Sequence, residues 1–204
     1  VYMNNKAVYN IACGLFVLTS ADGSKHNGCI INTVMQVTST PVKISVTVNK
    51  GNFTTEMILK SGRFNVSCID ESANFSLFER FGFASGRDTD KFSGFAGYKT
   101  APNGINYVTE GTNAFFSAKV VDTVDVGTHY IFIAEVEEAE VLSDNPSATY
   151  SYYHKNIKPK PEVKKSEKTR WVCKICGYVY EGDELPEDFI CPICKHPASD
   201  FEKV

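Results

Sequence analysis

The sequence predicts a mainly β chain made of two domains, a larger barrel with short helices and a small C-terminal domain. Three observations support this division. Apolar stretches with strand-like alternation fill the chain as far as Val141, a lysine- and proline-rich segment follows, and four of the seven cysteines are paired near the end. We expect the larger domain at residues 1–154, a linker at 155–170 and the small domain at 171–204.

The strands of the larger domain are predicted from apolar side chains that recur at every second position. Val42, Ile44, Val46 and Val48 alternate with polar residues, which is the pattern of a half-buried strand. Further apolar stretches predict strands at Gly14–Thr19, Cys29–Val37, Phe64–Ile69, Ala114–Val121 and Tyr130–Val141. So many strands in succession favour a sheet closed into a barrel.

Two helices interrupt the predicted strands. The first lies near Thr54–Ser61, where Asn52 is a suitable N-cap and Gly62 a suitable residue beyond the C-terminus. The second lies near Ala73–Phe81 and is followed by Gly82.

Overall composition limits the class of protein. Hydrophobic residues make up 43% and charged residues 22%, as in ordinary globular proteins. No apolar run approaches the roughly 18 residues of a membrane helix, and no charged start precedes an apolar stretch that small residues then close. We therefore expect a cytoplasmic protein without a membrane partner.

The charge pattern identifies the linker. Residues 155–170 carry seven basic and two acidic side chains, whereas the segments on either side have a net negative charge. Prolines and repelling lysines keep such a segment extended, over at most about 50 Å. Nucleic-acid-binding proteins usually spread positive charge over a folded face, so we expect a tether and no nucleic-acid partner.

The paired cysteines predict a metal site. Cys173, Cys176, Cys191 and Cys194 form two C-x2-C pairs with 14 residues between the inner members. Such turns aim four sulfurs at one ion, and a domain of 34 residues normally needs a metal or disulfides for stability. Tetrahedral thiolates bind zinc or a single iron, and spacing alone does not choose between them. A redox disulfide pair is a third, weaker interpretation.

The residues around the cysteines favour iron. Five aromatic side chains are available to enclose the ion: Trp171, Tyr178, Tyr180, Phe189 and Phe201. The segment WVCKICGYVYEGDELPEDFICPICKHPASDFEKV resembles the shortened rubredoxin domain at the end of rubrerythrins. The loop between the cysteine pairs is short, Lys195 stands where rubredoxins usually have glycine, and His196 follows it. The resemblance implies one mononuclear iron ion (Fe2+/Fe3+), with structural zinc as the alternative.

The larger domain carries a second resemblance. Residues 14–69, GLFVLTSADGSKHNGCIINTVMQVTSTPVKISVTVNKGNFTTEMILKSGRFNVSCID, are similar to the flavin reductase-like split-barrel family. DTDKFSG at 88–94 and VGTHYIFIAEVEEAEV at 126–141 extend the similarity. Where the family often has G-D-H, this chain has Gly127-Thr128-His129. The resemblance implies bound FMN and a homodimer with flavin near the interface.

Candidate flavin ligands fall into two groups. Asn32, Thr33 and Gln36 lie in the polar segment expected to follow the flavin ring and ribityl chain. Asn49, Lys50 and Thr54 lie at a helix start, where amide groups, the helix dipole and a lysine favour phosphate. The alternative is that the first group is ordinary edge strand and the second only caps the helix.

Three further residues take their candidate roles from the family motifs. His129 is the candidate catalytic residue, as a flavin or nicotinamide contact, although a lone histidine in a strand is more often structural. Lys91 and Phe92 of the D-K-F triplet are candidate cofactor contacts. No G-x-G-x-x-G turn is present, so any NAD(P)H would have to lie over the flavin.

The two domains together resemble the high-molecular-weight rubredoxins. Flavin accepts a hydride as two electrons and releases them singly, whereas iron carries one at a time, so the order flavin then iron is chemically sensible. The resemblance implies electrons from NADH, directly or through an NADH:rubredoxin reductase, and a flavodiiron partner that reduces nitric oxide or oxygen. One alternative is an NAD(P)H:flavin reductase that supplies reduced flavin, with a zinc ribbon for docking. The other is a colourless binding protein with zinc and no flavin.

Overall fold

The structure, a computed structural model, describes residues 4–159 and 169–204. Contacts within the chain divide it into two units, Val1–Ile157 and Lys158–Val204. Residues 160–168 of the expected linker lie outside the described residues. Residues 155–157 form part of a helical turn in the first unit.

The first unit is built mainly from strands. They are β1 (Phe16–Asp22), β2 (Lys25–Ile31), β3 (Val34–Ser39), β4 (Val42–Asn49), β5 (Arg63–Ile69), β6 (Tyr98–Thr100), β7 (Asn106–Val108), β8 (Thr112–Asp125) and β9 (His129–Val141). The α-helices are α1 (Phe53–Ser61), α2 (Phe75–Phe78) and α3 (Tyr150–Tyr152), and α2 and α3 continue into π-helical turns at Glu79–Phe83 and Tyr153–Ile157; a 3-10 turn at Asn5–Asn10 precedes β1.

Seven strands form one antiparallel sheet in the order β2-β1-β5-β8-β9-β4-β3. The edge strands β2 and β3 are consecutive in the chain. One apolar core takes side chains from both halves of the sheet: Leu18, Cys29, Ile31, Ile44, Val46, Val48, Ile58, Phe64, Val66, Ala118, Phe132 and Ala134. The sheet therefore curls around this core into a barrel, as the sequence predicts. The barrel is split between β2 and β3.

Local capping signals set the limits of α1. The Asn52 side chain accepts a hydrogen bond from the Thr54 amide at 3.0 Å, and Gly62 ends the helix with a φ of 65°. Met57 and Ile58 are buried, so the helix packs one face against the barrel. The sequence prediction for α1 is confirmed to within one residue.

Two predicted elements differ in detail from the structure. The second helix starts at Phe75 instead of Ala73. It has only one α-helical turn before it continues as the π-helical turn at Glu79–Phe83. The predicted strand Cys29–Val37 is two strands, because the chain leaves β2 at Asn32 and enters β3 at Val34.

The second unit has a three-stranded antiparallel sheet in the order β11-β10-β12. Its strands are β10 (Arg170–Cys173), β11 (Val179–Glu181) and β12 (Phe201–Lys203), and a 3-10 turn at Ala198–Asp200 precedes β12. Its core joins the cysteines to the predicted aromatic residues: Trp171, Cys173, Ile175, Cys176, Tyr178, Tyr180, Leu185, Phe189, Cys191, Cys194 and Phe201.

Within residues 4–159 and 169–204, no helix combines the length and apolar character needed to cross a membrane.

Candidate metal and flavin sites

The four cysteines of the second unit converge on one point. All four sulfurs lie within 4.8 Å of one another, and the pairs Cys173–Cys194 and Cys176–Cys191 are each 3.5 Å apart. Four sulfurs at about 2.3 Å from a tetrahedral ion are about 3.8 Å apart, so the cluster has the dimensions of a metal site. All four positions are filled by protein ligands, which leaves none for a substrate.

Backbone amide groups surround the sulfurs. The amide of Tyr178 donates to Cys176 and the amide of His196 donates to Cys194. Each donor lies two residues after its cysteine, so the two turns present their sulfurs in the same way. Such N–H groups stabilise thiolate charge and help to set the reduction potential of a bound metal.

The thiols have unequal acidities. Burial raises the pKa of Cys176 to about 11 and raises that of Cys194 as well. Burial also opposes ionisation of Cys191, but amides of Cys194 and Ile193 donate to its sulfur and lower its pKa. A bound cation supplies the charge that lets all four sulfurs be thiolates together.

In the first unit, the sheet register brings separate candidate residues to one edge. The Thr33 hydroxyl donates to the Thr47 carbonyl at 2.6 Å, which places the β2–β3 junction beside β4. Asn49, at the end of β4, pairs with His129 at the start of β9. Residues from three distant parts of the sequence therefore share one end of the β3-β4-β9 sheet.

The same edge leads into the N-terminus of α1, with Lys50 beside it. The Lys50 amine contacts the Asp125 carboxylate at 2.6 Å and lies 4.8 Å from the centre of the Tyr130 ring. The hydrogen bond from Lys50, with one from the Gly127 amide, holds the pKa of Asp125 below its ordinary value. Hydroxyl, amide and ammonium groups beside a helix N-terminus are a donor set that fits a flavin phosphate.

His129 lies at this edge as the family motif implies. Its Nδ1 is 2.8 Å from the Thr128 hydroxyl, and the side chain is partly exposed. The neighbouring Lys50 amide donates to the Thr128 carbonyl at 3.0 Å. His129 is thus joined to the helix entry through Thr128, and its catalytic role stays a prediction.

The remaining candidates lie in different surroundings. Gln36 is exposed on β3 and donates to the Thr38 carbonyl at 3.2 Å. Lys91 is buried, and its amine donates to the carbonyls of Gly28 at 2.8 Å and Phe81 at 3.1 Å. Phe92 is buried in an aromatic cluster. The interior positions of Lys91 and Phe92 indicate that they support the barrel wall.

Asn27 is a buried polar residue that the sequence analysis did not single out. Its Nδ2 donates to the Thr54 hydroxyl at 2.9 Å, which ties β2 to the first turn of α1. Its Oδ1 is buried and has no hydrogen-bond donor within the described part of the chain. The Asn27-Gly28 dipeptide is typical of a turn, so the local sequence did not indicate that Asn27 lies inside a strand.

Comparisons with known protein families also divide the chain into two parts. Residues 8–160 match the flavin reductase like domain family, and residues 171–202 match the rubrerythrin, rubredoxin-like domain family. An oxidoreductase with a flavin-binding barrel and a four-cysteine electron-transfer domain is therefore the class that the fold and sites define.

Similar proteins specify the class further. A high molecular weight rubredoxin of Moorella thermoacetica is 37% identical, with 99% of this chain and 100% of the relative covered. A ferric-chelate reductase (NAD(P)H) of Archaeoglobus fulgidus is 41% identical over 74% of this chain and 89% of its own. The chain belongs to the high molecular weight rubredoxins.

A solved structure supports the fold of the first unit. The NADH:FAD oxidoreductase SgcE6 of Streptomyces globisporus superposes with a TM-score of 0.64 at 18% identity, over 71% of this chain and 84% of that chain.

The chemistry follows from these sites. A flavin bound in the first unit would supply electron acceptance and release, and an iron ion held by Cys173, Cys176, Cys191 and Cys194 would supply one-electron transfer between two oxidation states. The barrel residues would bind and orient the flavin, and the cysteine turns would enclose the ion and exclude other ligands. The chain is an electron-transfer oxidoreductase.

Proposed function

We propose that the protein passes electrons from NADH through FMN in the first unit and one iron ion in the second unit to a flavodiiron protein that reduces nitric oxide or oxygen. The observation that carries the proposal is a metal site closed by four thiolates in the same chain as a flavin reductase-like barrel. With iron bound, a site closed by four thiolates carries electrons and binds no substrate, so it needs an electron source and an electron acceptor.

The NADH route is supported by the relatives. The ferric-chelate reductase aligns with 74% of this chain, and its name gives NAD(P)H as its electron donor. NADH would lie over the flavin or deliver its electrons through an NADH:rubredoxin reductase. Asn49, Lys50 and Thr54 at the start of α1 would hold the flavin phosphate. Asn32, Thr33 and Gln36 would lie along the ring and ribityl chain.

A homodimer is part of the proposal. Strand β3 and the part of β8 that pairs with the start of β9 expose large apolar side chains: Met35, Val37, Val121 and Val124. Large apolar side chains exposed in one patch mark interaction sites. A second copy of the chain would cover it and enclose the flavin, and light-scattering mass measures that association.

An acidic docking surface is proposed for the flavodiiron partner. The loop between the cysteine pairs carries five carboxylates: Glu181, Asp183, Glu184, Glu187 and Asp188. Their charge would steer a basic partner towards the metal turns.

A coupled anaerobic assay tests the whole route. NADH, this protein and a purified flavodiiron protein are mixed with nitric oxide, with and without an NADH:rubredoxin reductase. The proposal predicts nitric oxide loss that requires this chain. Reduced flavin that leaves the protein, with no loss of nitric oxide, would instead support a flavin reductase with a zinc ribbon.

A further inference from the structure

The two cysteine turns of the second unit have the same backbone hydrogen bonds. In the first turn, the Gly177 amide donates to the Cys173 carbonyl at 2.8 Å. In the second, the Lys195 amide donates to the Cys191 carbonyl at 2.9 Å. Lys195 therefore occupies the position that glycine occupies in the first turn.

Lys195 has an uncommon backbone conformation because it occupies the glycine position of the turn. Its φ is 62°, in the left-handed region, where Gly177 has a φ of 81°. Within the described ranges 4–159 and 169–204, Lys195 is the one non-glycine residue with positive φ. A side chain there is unfavourable, so the turn geometry gives no reason for lysine over glycine.

The side chain supplies a different reason. The Lys195 amine donates to the Pro192 carbonyl at 3.1 Å, and Pro192 lies between the ligands Cys191 and Cys194. The ammonium group thus closes over the second turn. Positive charge close to a metal stabilises its reduced state, because the reduced site has one more negative charge.

We propose that Lys195 is a positioning residue that holds its charge over the second cysteine turn and raises the reduction potential of iron in this site. The inference rests on the proposed function, in which iron bound by the four cysteines accepts one electron from the reduced flavin. A higher potential favours that transfer.

The test uses full-length protein reconstituted with iron, in the wild type and in Lys195→Arg, Lys195→Gln and Lys195→Gly. Midpoint potentials are measured by spectroelectrochemistry at low salt. Lys195→Arg should keep the wild-type potential. Lys195→Gln and Lys195→Gly should lower the midpoint potential by ~40 mV. This shift is about a fivefold change in the redox equilibrium constant, at 59 mV per factor of ten. High salt should reduce the difference.

Lys174→Gln is the matched control. Lys174 is an exposed lysine between the ligands Cys173 and Cys176 of the first turn. Its loss should change the potential by less than half as much. Equal shifts in Lys174→Gln and Lys195→Gln, or no shift in Lys195→Gln, would overturn the proposal.

Backbone and charge effects are separated by thermal unfolding of the same iron-loaded proteins. Lys195→Gly should unfold at a higher temperature than Lys195→Gln, because both lack the charge and only glycine removes the backbone cost. Metal analysis of protein before reconstitution tests the proposed function independently: zinc in place of iron would contradict that function, while the reconstituted potentials would still decide the role of Lys195.

Discussion

At the scale of single residues, Lys91 shows how a charged side chain is used inside the barrel. Its amine donates to the carbonyls of Gly28 and Phe81, and burial lowers its pKa. Replacement by methionine would leave both carbonyls without this donor. We expect Lys91→Met to lower the free energy of unfolding by about 2–4 kcal/mol, measured by urea denaturation.

Lys60→Met is the control for this prediction. The Lys60 amine pairs with Asp22 at 2.7 Å on the surface, where ion pairs contribute little. Its loss should lower the free energy of unfolding much less than the loss of Lys91 does. Equal costs for the two variants would show that the interior hydrogen bonds of Lys91 do not stabilise the barrel.

At the scale of elements, Asp70 joins the end of β5 to the segment after β9. Its Oδ1 accepts from the Ser72 amide at 2.8 Å and hydroxyl at 2.6 Å, and its Oδ2 accepts from the Asn145 amide group at 3.1 Å. Burial opposes ionisation, but these hydrogen bonds together lower the pKa of Asp70.

The lowered pKa predicts a pH dependence. The carboxylate adds stability above its unfolded pKa of about 3.9, and this is lost as pH falls through the lower folded pKa. Asp70→Asn should cost about 1–3 kcal/mol at pH 7 and lose less stability than the wild type on acidification. Thermal unfolding at neutral and acidic pH measures both effects, and parallel pH profiles would contradict this role.

Elements were predictable where local chemistry determines them. Asn52 and Gly62 cap α1 through contacts within a few residues, and the cysteine spacing alone predicts the metal cluster. The break between β2 and β3 was missed because Thr33 is held by Thr47, fourteen residues away. The pairing of Asn49 with His129 likewise depends on sheet register, which local patterns do not reveal.

At the scale of the whole molecule, the account requires the flavin to be reduced before the metal. Cys176→Ser removes one thiolate ligand while leaving the barrel residues unchanged. We expect flavin reduction by the electron donor to persist and electron delivery to the acceptor to fall at least a hundredfold. Stopped-flow absorbance follows the two steps separately, and loss of both would contradict the order.

The most direct test of the central claim is the visible spectrum of anaerobic protein during titration with NADH, together with a metal assay. The account predicts one iron ion and one flavin per chain. It also predicts that both the flavin and ferric-thiolate bands bleach as NADH is added, with a catalytic amount of an NADH:rubredoxin reductase present if one is required. Zinc in the four-cysteine site with no bound flavin would contradict it.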